Sequence, residues 1–139
     1  MTLYILDTEH LSLYERGNVQ VRTRLAQTPY QQIALTAVTV EEQMRGRLAQ
    51  IRAAKTELAH IQAYQWLCDT LDIIKDFAII NYDLPASVHY ESIRQQKLRV
   101  GTQDLRIAAI ALAAGATVVT RNQSDFGQVA GLSLDDWSK

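Results

Sequence analysis

Short apolar runs, each stopped by a polar residue, alternate along this chain with longer stretches of helical period. Leu3-Tyr4-Ile5-Leu6 stops at Asp7-Thr8, Ile33-Ala34-Leu35-Thr36 ends on its own threonine, Phe77 to Ile80 stops at Asn81, and Thr117 to Thr120 at Arg121. Runs this short and this rich in β-branched residues predict buried parallel strands rather than helices. Leu132-Ser133-Leu134 predicts a last, shorter strand before Trp137. Between the strands the period changes. Asp7 or Thr8 can cap a helix carrying Leu11 and Tyr14 and closed by Gly17, and a second piece runs from about Val19 to Ala26, before Pro29. Thr39-Val40-Glu41-Glu42 opens a third, with Val40, Met44, Leu48 and Ile51 on one stripe. Glu42, Gly46, Ala49 and Ala53 make a second stripe of mostly small residues, which predicts packing on two sides. Glu57 to Ile74 is amphipathic, with Leu58, Ile61, Leu67, Leu71 and Ile74 expected inward, and Asp83-Leu84-Pro85 starts a helix containing Tyr90 and Ile93. The last long helix follows Gly101, with Thr102 as its expected cap, Asp104 in its first turn, and Gly115 as its left-handed stop.

Strands alternating with helices predict an α/β fold, an open and mainly parallel sheet covered on both faces. Ligands of such sheets bind outside the carboxyl ends of the strands, at the switch point. Asp7 and Asp125 both follow strands at those ends, and Asp104 and Glu42 both fall in first turns of helices that can start from the same rim. Each acid alone has an ordinary structural explanation. Glu42 completes a capping box with Thr39, Asp104 suits a helix dipole, Asp125 ends the turn-forming Asn122-Gln123-Ser124, and Asp7 can cap a helix. Together they are different, because four carboxylates at one rim repel and raise one another's pKa values. A divalent cation resolves that repulsion, and an oxygen-only donor set points to Mg²⁺ or Mn²⁺. His10, His60 and His89 are scattered and Cys68 stands alone, so no zinc site is expected.

Length and charge sharpen this only slightly. With 139 residues one domain spanning 1–139 is expected. The longest apolar run, Ile107 to Ala114, is far short of a membrane span. The N-terminus has neither the basic start nor the cleavage site of a secretory signal, and an unpaired cysteine fits a reducing compartment, so a cytoplasmic protein is expected. The 14 basic residues face 15 acidic ones, a poor balance for a nucleic-acid binder. Neutralising the four rim acids makes it positive, and Arg94, Lys97, Arg99, Arg106 and Arg121 all lie in the C-terminal half.

Four motifs in order carry a resemblance. Leu6-Asp7-Thr8, Val38-Thr39-x-x-Glu42-x-x-x-Gly46, Gly101-x-x-Asp104-x-x-Ile107-Ala108-Ala109 and Val119-Thr120-Arg121-Asn122-x-x-Asp125-Phe126 resemble the PIN-domain ribonucleases, and more narrowly the VapC toxins of bacterial toxin–antitoxin pairs. The likeness runs on to Gly131-Leu132 and Asp136-Trp137, while Gln50 to Ile80 matches in helical character alone. It implies a three-layer α/β/α sandwich and a Mg²⁺- or Mn²⁺-dependent endoribonuclease, bound by a cognate antitoxin and often a homodimer. By position it makes Asp7, Glu42, Asp104 and Asp125 the catalytic, metal-binding acids, with Thr8 and Thr120 as close neighbours. Glu41 is the rival of Glu42. The two lie about 100° apart on a helix, and the spacing to Gly46 selects Glu42. Where the family commonly has Asn two residues after the first Asp, this chain has Glu9, an extra or outer ligand on this reading. Arg94 and Arg121 are weaker candidates for RNA phosphate contacts. Two other readings remain open at this level: a receiver-like Mg²⁺-binding phosphoacceptor module, and a catalytically silent PIN-like interaction domain. The first needs an acceptor Asp after the third strand, where this chain has Asn81-Tyr82, and a late lysine, where it has only Lys139.

Overall fold

The computed structural model describes residues 1–139. Five short strands make one sheet: β1 (Tyr4–Leu6), β2 (Ile33–Thr36), β3 (Ala78–Ile80), β4 (Thr117–Val119) and β5 (Ser133–Asp135). Their spatial order is β3-β2-β1-β4-β5, and all four pairings are parallel. Seven helices cover it: α1 (Thr8–Glu15), α2 (Val19–Gln27), α3 (Ala37–Ala53), α4 (Glu57–Ile74), α5 (Leu84–Arg94), α6 (Thr102–Ala114) and α7 (Gln123–Phe126). The chain winds outward from β1 to β3, then crosses back to lay β4 on the free side of β1. The strand order therefore reverses between β1 and β4, which puts the switch point there. A receiver-like sheet would hold β3 between β1 and β4. Here β3 is an edge strand, so that alternative is excluded.

The two-residue period of the strands sorts their side chains into two cores. Ile5 and Val118 face α5 and α6, packing with Ala86, Ile93, Leu105 and Ile107. Leu6, Ile33, Leu35 and Val119 face the other way, onto Leu11, Leu13, Val21, Ile74 and Trp137. Helix α6 is the most deeply set, with Ile107 to Ala111 each at most 1% exposed, since a run of alanines lets a helix lie close on its neighbours. It ends where expected, at Gly115, whose φ of 66° is the left-handed conformation that favours glycine.

Several elements differ from the expectation. Thr36, not Thr39, caps α3, its hydroxyl accepting from the Thr39 N–H at 3.1 Å. The helix starts at Ala37, so Glu42 lies in the second turn and the Thr39–Glu42 capping box does not form. Gly101 caps α6 without a side chain, and Thr102 is already helical. Phe77 falls before β3 and packs edge-on against Tyr14. The polar stretch after β4 continues into α7, with Asp125 in its first turn.

The largest correction concerns α4. Leu58, Ile61 and Leu71, expected inward, are 80%, 65% and 50% exposed, while Ala63, Thr70 and Ile74 are buried. Arg47 of α3 fixes this rotation, its Nε donating to Thr70 Oγ1 at 2.8 Å and its Nη2 to Glu15 Oε2 at 3.0 Å. A small Ala63 and a hydroxyl facing the guanidinium bring α3 and α4 together, and the bulky stripe turns outward. Gly46, Ala49 and Ala53 are exposed as well, so the second side of α3 is uncovered in the single chain.

Candidate active site

The backbone first sets where each acid stands. Because β1 and β4 are parallel with Leu6 beside Val119, the residues just past them emerge side by side at the carboxyl edge. The Asp7 N–H extends this ladder by donating to the Val119 carbonyl at 3.1 Å. Asp7 also caps α1, its Oδ1 accepting from the His10 N–H at 2.8 Å, and the residue is only 6% exposed. Thr120 is fully buried, and its Oγ1 accepts from the Asn122 N–H at 2.8 Å. Asn122 in turn caps α7 and donates from Nδ2 to Asp125 Oδ2 at 3.0 Å. A short chain of side-chain bonds thus fixes Asp125 relative to the end of β4.

Glu42 is held from α1. The Thr8 hydroxyl donates to Glu42 Oε1 at 2.7 Å and lies 3.2 Å from the Thr39 hydroxyl, which is 3.4 Å from that of Thr36. Glu41 is elsewhere: exposed, it accepts from Gln103 Nε2 at 2.8 Å and pairs with Arg45 at 2.6 Å. The Gln103 amide, with Arg45 and Arg106, holds its carboxyl below the ordinary value. Its charge is already compensated by Gln103, Arg45 and Arg106 on the side of α3 away from the Thr8–Glu42 bond.

Asp104 shows that the four acids form one electrostatic unit. Its pKa is pushed from 3.8 to about 6, first by burial and then by the charges of Asp7, Glu42 and Asp125. All three predicted neighbours act on it, and no basic side chain offsets them. Glu9 is exposed and is not among the groups acting on Asp104. Arg94 is taken up by Glu91 at 2.7 Å on the surface of α5. Arg106 is the better-placed cation, bonded to Gln103 beside Asp104 and lying 4.9 Å from the Tyr90 ring centroid.

The reading of scattered histidines misses His10. Its side chain is completely buried, with Nδ1 at 3.3 Å from Asp7 Oδ1 and Nε2 at 3.4 Å from Asp136 Oδ1. Its position three residues after Asp7, where the acid caps the helix, was the available signal.

These residues fit a hard divalent cation by chemistry. The donors are all carboxylate oxygens, they are partly desolvated, and their mutual repulsion is left uncompensated by protein cations. They are not drawn together as a closed cage: no three His, Cys, Asp or Glu side chains are gathered closely enough to hold an ion by themselves. A loosely spaced acidic set suits an ion that keeps part of its water shell, as Mg²⁺ does. A polar cleft of about 280 Å³ adjoins Glu42, running from Thr8 past Ser12 and Gln43 to Arg47 and Gln50.

A parallel sheet of this order, covered by helices on both faces, defines a PIN-like α/β/α protein. Comparison with known proteins agrees. The chain is 35% identical to the ribonuclease VapC2 of Rickettsia felis over 74 residues, 50% of this chain and 55% of that one. It is 38% identical to the tRNA(fMet)-specific endonuclease VapC of Shigella flexneri over 64 residues, 43% of this chain and 48% of that one. The chain thus spans about half the length of the curated relatives it matches. Solved structures match along the whole chain. DNA-bound VapBC from Salmonella typhimurium superposes with a TM-score of 0.81 at 24% identity, covering 99% of each chain. FitAcB from Neisseria gonorrhoeae gives 0.75 at 25% identity, covering 96% of this chain and 97% of that one. No protein-family model matches the sequence. In fold the chain is a PIN-like protein, and over about half its length its sequence is similar to VapC ribonucleases. No helix is long and apolar enough to cross a membrane.

Proposed function

We propose that this chain is a metal-dependent endoribonuclease, using Mg²⁺ or Mn²⁺, and the toxin of a toxin–antitoxin pair. The observation that carries this reading is the Asp104 carboxyl, pushed up to about 6 by burial and by the other three acids at the switch point. Asp7 and Asp104 would hold the principal ion, with Glu42 and Asp125 completing its shell. When bound, such an ion lowers the pKa of a coordinated water and stabilises the charge developing on a phosphodiester. The protein's own part is positional. The β1–β4 ladder and the α1 cap fix Asp7, Thr8 steers Glu42, and Asn122 steers Asp125. Asp104 and Glu42 are the carboxylates suited to take the proton of an attacking water, Asp104 because its proton affinity lies close to neutral pH. The polar cleft beside Glu42 and the Arg106 and Arg121 side chains offer hydrogen bonds and positive charge to an RNA strand.

The same reading supplies two protein partners. A cognate antitoxin would cover the acidic rim, where an inserted Arg or Lys can substitute for the ion's charge. A second copy of the chain would cover the exposed face of α3, where Met44, Leu48 and Ala49 line a groove of about 690 Å³. The test is direct. Purified protein is incubated with structured RNA in Mg²⁺, Mn²⁺ or EDTA, beside the Asp7→Asn variant. Cleavage in either metal, none in EDTA and none by the variant is expected. Cleavage that survives both EDTA and Asp7→Asn refutes the assignment.

A further inference from the structure

Two polar clefts lie on two sides of α3, and they differ in free positive charge. The cleft beside Glu42 holds one cation, Arg47, whose guanidinium is taken up by Thr70, Gln50 and Glu15 at 2.8, 3.0 and 3.0 Å. The other cleft, of about 480 Å³, lies between the start of α3 and the first turn of α6, with Tyr82 in its wall. Thr102 and Gln103 line it, and Asp104 is the next residue of the chain. Its one acid, Glu41, faces two arginines, Arg45 and Arg106. Arg45 pairs with Glu41 at 2.6 Å, whereas Arg106 forms no salt bridge. Its Nη1 donates to Gln103 Oε1 at 3.2 Å, and its guanidinium lies 4.9 Å from the Tyr90 ring centroid and 5.9 Å from that of Tyr82. The two rings meet edge to face, 6.2 Å apart.

A guanidinium held by an amide and two aromatic rings is oriented before any ligand arrives, so little order is lost when it meets an anion. One of its N–H groups is used by Gln103, which leaves donors for the paired oxygens of a phosphate. From this geometry we propose that Arg106 grips a backbone phosphate of the RNA, and that the strand leaves the acids through the α3–α6 cleft rather than through the cleft beside Glu42. The inference rests on the proposed reading of the chain as an endoribonuclease and gives its substrate a path. On α6, Arg106 lies two residues beyond Asp104, about 3 Å along the axis and about 200° around it. The phosphate it holds is therefore a neighbour of the scissile one, and its part is binding. Tyr82, Tyr90 and Gln103 act through it, by fixing the plane of the guanidinium.

The probe is a fluorescently labelled single-stranded RNA, bound in EDTA by the full chain carrying Asp7→Asn so that it is not cleaved. Affinity is followed over a series of KCl concentrations. Each phosphate contact on a single strand contributes about 0.7 to the slope of log K against log salt. Arg106→Gln should lower the steepness by about that amount and weaken binding about tenfold. Arg106→Lys keeps the charge without the planar fork, and should regain the slope but only part of the affinity. Arg94→Gln should change neither, because Glu91 already takes that guanidinium. A slope unchanged by Arg106→Gln overturns the proposal, and if self-association in sedimentation weakens instead, the cleft belongs to a second copy of the chain. An equal fall in Arg94→Gln also overturns it, since the effect is then diffuse surface charge. If the Asp7→Asn reference binds no RNA at all, the endoribonuclease reading fails together with the inference. Should Arg106→Gln not fold, phenylglyoxal modification of the Asp7→Asn chain decides: RNA should protect Arg106 and not Arg94, and an unprotected Arg106 overturns the inference.

Discussion

Replacing Asp104 by Asn tests whether burial and the neighbouring acids disfavour its charge in the metal-free protein. In the folded chain the Asp104 carboxyl titrates at about 6 instead of 3.8, so between those values the folded state holds a proton that the unfolded state has lost. Stability therefore falls as pH rises through this window, and the whole penalty is present above about pH 6. At 1.36 kcal/mol for each tenfold in proton affinity the upper bound is about 3 kcal/mol. Asp104 is only half-buried, and screening by solvent reduces this to about 1.5 kcal/mol. Asn has nearly the same shape and no charge. In EDTA at pH 7.5, Asp104→Asn should unfold about 5 °C above wild type, given the entropy of unfolding of a chain this size. Near pH 4.5, where folded wild-type Asp104 already carries its proton but the unfolded chain does not yet, the gap between the two melting curves should shrink to about a third. Adding Mn²⁺ at pH 7.5 should raise the wild type far more than the variant, because the ion binds the folded state through the charge that the variant lacks. Melting followed by circular dichroism at both pH values supplies the measurement. A variant no more stable than wild type in EDTA at pH 7.5, or an advantage undiminished at pH 4.5, would refute the raised proton affinity of Asp104.

Glu9→Gln should raise the Mn²⁺ concentration needed for RNA cleavage and lower the rate at saturating metal by no more than about tenfold, or ~1.4 kcal/mol. Glu9 is exposed and does not act on Asp104, so a loss as large as that of Asp104→Asn would mean that the four-acid set is misassigned. Trp137→Ala empties the largest fully buried side chain of the protein and should cost about 3–5 kcal/mol in chemical denaturation, and a loss under about 1 kcal/mol would contradict its burial. Co-expression with the proposed antitoxin should restore growth and yield a complex that does not cleave RNA. A stable complex that cleaves at full rate would show that the partner binds away from the acidic rim.

Much of this molecule is written in local pattern. Apolar runs four residues long, helix caps at Asp7 and Asp83, and the left-handed stop at Gly115 act within a few residues of chain, so the sequence specified the elements and their α/β order. It also supplied the four acids, because two follow strands and two lie near helix starts at one edge of any parallel sheet. What it left open depends on contacts between distant segments. Whether α4 turns Leu58 or Thr70 inward depends on Arg47, a residue of another helix with Glu15 as its second partner. Glu42 was separated from Glu41 by the Thr8 hydroxyl on one side and by Gln103 and Arg45 on the other, none of which helical spacing reveals. His10 looked like one of three unrelated histidines until Trp137, 127 residues away, closed over its ring. Periodicity can state that a helix has two faces, and a carboxylate's place in the chain can suggest a rim. Burial, and with it the raised proton affinity of Asp104, exists only once the sheet has brought those residues together and excluded water from between them.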